Sequence, residues 1–146
     1  MTQTIEKLQQ LLNMGAAYFM SNSELEYSKK ETPEKWSKKE ILGHLIDSGI
    51  NNLQRFTEIQ FKPKPFKIVS YDQNQLVIAN NYQNADTEDL IDFWIAINER
   101  IMKIMTFQTE ETLAYQIEFK DGTLSDLMFL MQDYVDHMEH HLDQVF

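Results

Sequence analysis

Apolar residues recur at helical spacing in four stretches of the chain, separated by polar or proline-bearing segments. Between Thr4 and Met20 the stripe is Ile5, Leu8, Leu11, Leu12, Ala16 and Phe19, which predicts a first amphipathic helix. The polar run from Ser21 to Pro33 reads as an irregular connection. Ser37-Lys38-Lys39-Glu40 then has the capping-box pattern, in which the serine accepts from a backbone N–H and the glutamate reaches back. Trp36 just before it is placed to act as a hydrophobic staple. The second helix is expected from Lys38 to Ile59, with Ile41, Leu42, Leu45, Ile46, Ile50, Leu53 and Phe56 as its apolar residues. Beside them runs a polar line, His44, Ser48, Asn51 and Arg55, which either reaches into the interior or faces water.

Pro63 and Pro65 end that helix, because proline lacks a donor and restricts the residue before it. No clear period governs Ile68 to Tyr82, where a short helix over Gln75–Asn81 is one option. Asp86 or Thr87 caps a third helix, whose stripe is Leu90, Ile91, Trp94, Ile97, Ile101, Ile104 and Met105. Asn98 sits beside that stripe and needs a hydrogen-bond partner if buried. Ala114–Phe119 reads as an extended linker and Asp121-Gly122 as a turn. Thr123-Leu124-Ser125-Asp126 caps a final helix with a wide apolar face of Leu124, Leu127, Met128, Met131, Tyr134, Val135, Met138, Leu142 and Val145. Four long amphipathic helices with a longer middle connection predict an all-α four-helix bundle, as one domain over residues 1–146.

The 23 acidic residues against 13 basic ones give a formal charge of −10, which argues against nucleic acid and against a polybasic membrane attachment. No stretch approaches the ~20 apolar residues of a membrane span, and the first residues lack the pattern of a signal peptide. A cytoplasmic protein that binds a small molecule or its own copy is the expectation. With no cysteine, a metal site must use imidazole, carboxylate or water.

Three of the four histidines lie in Tyr134-Val135-Asp136-His137-Met138-Glu139-His140-His141. His137 and His141 are four residues apart, so on a helix their rings share one face at about 5–6 Å between Cβ atoms. Both fall within the apolar face, and the remaining histidine, His44, lies on another helix. A divalent metal held by His44, His137 and His141 is the sharper reading, with open positions for water and substrate. Its rival is that the histidines near the helix end only complement the dipole. Asp47, Asp133 and Asp136 are near enough to orient an imidazole, although each alone reads as solvated surface. His140 reads as a surface residue or one behind the ligands, and Met128, Met131 and Met138 as core filler. No HExxH motif, defensible Ser-His-Asp order, nucleophilic cysteine or glycine-rich phosphate loop is present, so no catalytic side chain is assigned. Any chemistry then belongs to the metal.

The run Trp36-Ser37-Lys38-Lys39-Glu40-Ile41-Leu42-Gly43-His44-Leu45, taken with Asp133-Tyr134-Val135-Asp136-His137-Met138-Glu139-His140-His141-Leu142, resembles the DinB-like (YfiT-type) superfamily. The Leu90–Ile101 run, with Trp94, Asn98 and Arg100, resembles its third helix, so the likeness covers nearly the whole chain. The resemblance implies an up-up-down-down-like four-helix bundle, often dimeric, with a divalent metal on three histidines. Position by position these are His44, His137 and His141. Zinc or nickel is the expected ion, with manganese and iron as further options. The implied activity is a low-molecular-weight-thiol S-transferase, using a thiol such as bacillithiol or mycothiol, or a hydrolase. A non-catalytic, dimeric metal- or ligand-binding stress protein is the alternative.

Overall fold

Four long helices enclose the hydrophobic interior in the computed structural model, which describes residues 1–146. They are α1 (Thr2–Ser21), α3 (Lys38–Glu58), α5 (Thr87–Thr106) and α7 (Leu127–Val145). Shorter elements lie between them: α2 (Glu24–Ser28), β1 (Phe66–Lys67), α4 (Gln73–Ala79), a 3₁₀ turn (Tyr82–Asn84), α6 (Glu110–Leu113), β2 (Gln116–Glu118) and β3 (Leu124–Asp126). Each of α1 and α3 packs on both α5 and α7. Two bundle helices consecutive in sequence, α1 and α3, thus stand on a diagonal, which brings α3 and α7 side by side. None of the helices is long and apolar enough to cross a membrane.

The long helices fall where the stripes place them. The Ser37 hydroxyl accepts from Glu40 N–H while the Glu40 carboxylate accepts from Ser37 N–H, completing the capping box of α3. Asp86, not Thr87, caps α5 by accepting from Asp89 N–H. The stripe of α5 is buried except for half-buried Ile104, and Met131 and Met138 of α7 fill the core beside half-buried Met128. Each such side chain, taken fully out of water, contributes about 1.5–3 kcal/mol before entropy is counted.

The connections carry more structure than the sequence suggests. Within the expected irregular segment, Ser23 caps α2, and the buried Tyr27 donates to the Phe19 carbonyl at 2.6 Å, closing the end of α1. The short helix near residue 75 forms as α4, two residues earlier than expected, because Asp72 caps it. The expected linker Ala114–Phe119 is instead the centre of a small sheet. β2 pairs in parallel with β1 (Phe66 opposite Ile117) and antiparallel with β3 (Ile117 opposite Ser125). The segment taken as the cap of the last helix is therefore mostly strand, and Asp126 alone accepts from Phe129 N–H. Short alternation hides a strand when its neighbours come from distant parts of the chain. The sheet ties the proline-bearing connection after α3 to the start of α7.

Two glycines set close approaches between elements. A Cβ on Gly15 would lie 2.5 Å from the Trp94 ring, so α1 and α5 meet across a bare backbone. On Gly43 it would lie 2.2 Å from the Tyr82 ring. Tyr82 uses that space to donate to Asp47 Oδ1 at 2.7 Å, joined by Asn80 Nδ2 at 2.9 Å.

Asn98, fully buried, donates to the Trp94 carbonyl at 2.8 Å and accepts from Tyr134 OH at 2.6 Å, bridging α5 and α7. Removing that hydroxyl leaves the Asn98 oxygen unpaired inside the protein, a cost of about 1–3 kcal/mol. Tyr134→Phe is expected to lower unfolding free energy by that amount in urea denaturation. An unchanged midpoint would show that the bridge contributes nothing.

Candidate metal centre

The polar line on α3 turns inward at its N-terminal end. His44 is fully buried, Ser48 and Asn52 are buried, and Asn51 and Arg55 are half-buried. On α7, His137 and His141 are half-buried at the edge of the apolar face, while His140 is exposed. Because α3 and α7 are neighbours, the three inward histidines converge. The ring centroids of His44 and His137 are 5.0 Å apart, and those of His44–His141 and His137–His141 are each 4.6 Å apart. One nitrogen from each ring lies within 4.8 Å of the other two.

His44 Nε2 and His137 Nε2 are 3.2 Å apart. Two nitrogens bound to one ion at about 2.1 Å stand roughly 3.0–3.4 Å from each other in octahedral or tetrahedral geometry. The pair therefore fits a shared ion. The outer nitrogens of the α7 pair have protein partners. His137 Nδ1 is 3.5 Å from Ser48 Oγ, and His141 Nδ1 is 3.0 Å from Gln144 Oε1. The glutamine oxygen fixes the proton of His141 on Nδ1 and leaves Nε2 with its lone pair. Trp36 lies against His44 with centroids 4.9 Å apart, so the residue before the α3 cap walls the centre. His44 Nδ1 is buried without a partner, and histidine nitrogens are the only polar atoms His44 meets.

Electrostatics favour neutral rings throughout. Burial, then His141 and His137, lowers His44 from 6.5 to about 3. Burial, then His141 and His140, lowers His137 from 6.5 to about 4. Burial also lowers His141, against the opposing hydrogen bond that its Nδ1 donates to Gln144. Neutral imidazoles are the form that donates to a metal.

The nearby carboxylates take other roles. Asp47 is buried, which overturns its reading as solvated surface, yet its partners are Tyr82 and Asn80 and not a histidine. Burial pushes its carboxyl up, against those two hydrogen bonds. Asp136 pairs with Lys7 of α1 at 2.8 Å. Asp133 lines a cavity of about 250 Å³ that also has Ser48, Asn52, Arg55, Tyr71 and His137 in its walls. Sequence reasoning overlooked Asn52 and Gln144. Gln144 lies one turn after His140 and His141, the spacing at which a helical side chain meets a candidate ligand.

Histidines buried neutral make stability depend on pH with a definite sign. Between about 4 and 6.5 the unfolded chain binds more protons at His44 and His137 than the native state does, so stability rises with pH. Metal-free protein is expected to lose stability as pH falls from about 6.5 to about 5, a window above ordinary carboxylate titration. His137→Gln should flatten that slope. Urea midpoints at both pH values check it, and parallel slopes in wild type and variant would contradict neutral burial.

No protein-family model matches the chain, and no curated protein matches it. Solved structures do. YfiT from Bacillus subtilis, described as a probable metal-dependent hydrolase with an unusual four-helix bundle topology, superposes with a TM-score of 0.85 at 18% identity, over 96% of this chain and 80% of that one. A mycothiol-dependent maleylpyruvate isomerase gives 0.73 at 10% identity, with 97% of this chain covering 59% of that one. The DinB-like protein YjoA from Bacillus subtilis gives 0.69 at 22% identity, over 99% and 87% of the two chains. The chain shares the four-helix bundle fold of these solved structures.

Proposed function

We propose that the protein is a metal-dependent enzyme that holds one divalent ion on His44, His137 and His141 and activates a small nucleophile, either water or a low-molecular-weight thiol. The convergence of three neutral imidazole nitrogens within 4.8 Å, on two helices and beside a polar cavity, carries this reading. Zinc or nickel suits the all-imidazole donor set best, since no thiolate is available and no carboxylate joins the group. When bound, such an ion supplies Lewis acidity that draws a water or thiol toward its anion near neutral pH.

The chain's own residues prepare the centre. Ser48 and Gln144 hold the rings of His137 and His141 in orientation, the task that outer hydrogen bonds perform around metal ligands. Trp36 closes one side of His44 and limits water there. Only three histidines converge, which is the ligand count of a centre with positions free for nucleophile and substrate.

The likenesses to a probable metal-dependent hydrolase and to a mycothiol-dependent isomerase support the choice between water and thiol as nucleophile. Elemental analysis of untagged protein tests the metal itself. Wild type is expected to carry near one divalent ion per chain, and His44→Ala, His137→Ala and His141→Ala each to fall to background. Background metal in wild type after incubation with zinc, nickel and manganese would overturn the reading. With metal present, turnover of an electrophile only when thiol is added identifies a transferase. Ester or amide cleavage without thiol identifies a hydrolase, and neither activity would leave a metal-binding protein without catalysis.

A further inference from the structure

From the His137 side of the centre a continuous polar chain runs down α3. Ser48 Oγ faces His137 Nδ1, and Asn52 Nδ2 donates to the Ser48 carbonyl at 3.0 Å and lies 3.4 Å from Ser48 Oγ. Arg55 Nη1 donates to Asn52 Oδ1 at 3.3 Å. Arg55 Nη2 donates to the Val69 carbonyl at 2.6 Å, and the guanidinium lies 5.5 Å from the centre of the Tyr71 ring. The group is thus fixed from three sides by neutral partners. No carboxylate forms an ion pair with it, although the charge of Asp133 is near enough to act on it.

That is an unusual state for a half-buried cation, since buried charges are as a rule paired. Two N–H groups are used by the protein, and others of its rigid fork are left over. Arg55 and His137 line the same cavity of about 250 Å³. On its outer side Arg55 also lines a larger cavity of about 670 Å³, whose walls include Lys62 and Lys67. Lys62 is paired with Glu58 at 2.6 Å, whereas Lys67 has no such partner. Glu58 lines the outer cavity too and offsets Lys62, which leaves Arg55 and Lys67 as its uncompensated positive groups in a chain of net charge −10.

Asp133 is the opposing feature. It lines the inner cavity too, beyond ion-pair distance of Arg55. Its charge acts on Arg55 and opposes an anion in the inner cavity.

We infer that Arg55 forms a subsite for a carboxylate of the substrate, so that the enzyme acts on small molecules carrying an anionic group remote from the reacting end. The guanidinium fork matches a carboxylate in two parallel hydrogen bonds. The backbones of Arg55 and Ser48 stand roughly 10 Å apart along the helix, and the guanidinium reaches back to Asn52, so the carboxylate lies a few bonds from the atom presented to the centre. Lys67, without a carboxylate partner, lines the outer cavity next to Arg55 and favours anions there. The inference rests on the metal-dependent reading for what happens at the other end of the ligand.

The test separates the two. Cobalt-loaded protein is titrated with monohydroxamates of dicarboxylic acids of increasing chain length, and with neutral alkyl hydroxamates of matched length, following the cobalt absorption. At the best length the anionic probe is expected to bind about tenfold or more tighter than its neutral match. Arg55→Gln should shrink that preference to within about twofold with cobalt content unchanged, Arg55→Lys should keep part of it, and Asp133→Asn should increase it. Equal binding of charged and neutral probes by wild type, with cobalt bound, overturns the subsite and leaves the metal centre standing. If no cobalt binds, the metal reading fails alone. The Arg55 side-chain N–H resonance of metal-free protein is then followed with adipate. A saturable shift, absent with the neutral diamide, supports the subsite, and no shift overturns it.

Discussion

An imidazole placed inside a helical bundle with only other imidazoles for polar company is the constraint on which the rest of the site depends. His44 is fully buried, and neither a carboxylate nor a carbonyl meets its ring nitrogens. A buried donor or acceptor left unmatched ordinarily costs about 1–3 kcal/mol, so packing alone would favour an apolar residue there. A shared ion changes the balance, because it turns lone pairs that face one another into ligands. The same burial that keeps the rings uncharged makes them ready to bind.

The bundle's connectivity makes that convergence possible. With α1 and α3 on a diagonal, α3 lies against α7, and residues 93 positions apart in sequence come within 3.2 Å. The polar interior is arranged along this seam. Asn98 and Tyr134 bridge α5 to α7, while Asp47, Asn80 and Tyr82 fasten the long connection onto α3 through the gap that Gly43 leaves. Neither network draws on a histidine, so the three rings are not borrowed into the scaffold. Arg55, held by neutral partners at the far end of the same seam, extends the polar surface away from the centre.

The four helices and the His137/His141 pair were legible in the sequence because both rest on local rules: apolar spacing, a capping box, and two histidines four residues apart inside an apolar face; that His44 meets them follows from the bundle's connectivity. The small sheet was not legible, since Phe66, Ile117 and Ser125 are strand partners only through tertiary contact. Asp47 illustrates a different limit. Its place on α3 is readable, but its burial depends on Tyr82, brought over Gly43 by a connection without a periodic pattern. Trp36 is similar: a position before a helix cap suggests a staple, and only the fold shows its ring against His44.

X-ray absorption at the metal edge of zinc- or nickel-loaded protein reads out which atoms surround a bound ion. A three-histidine centre gives a nitrogen shell at about 2.0–2.1 Å, the outer-shell scattering of about three imidazoles, and light-atom ligands in the remaining positions. A shell of oxygens without imidazole scattering would place the metal on surface carboxylates and contradict the assignment of His44, His137 and His141.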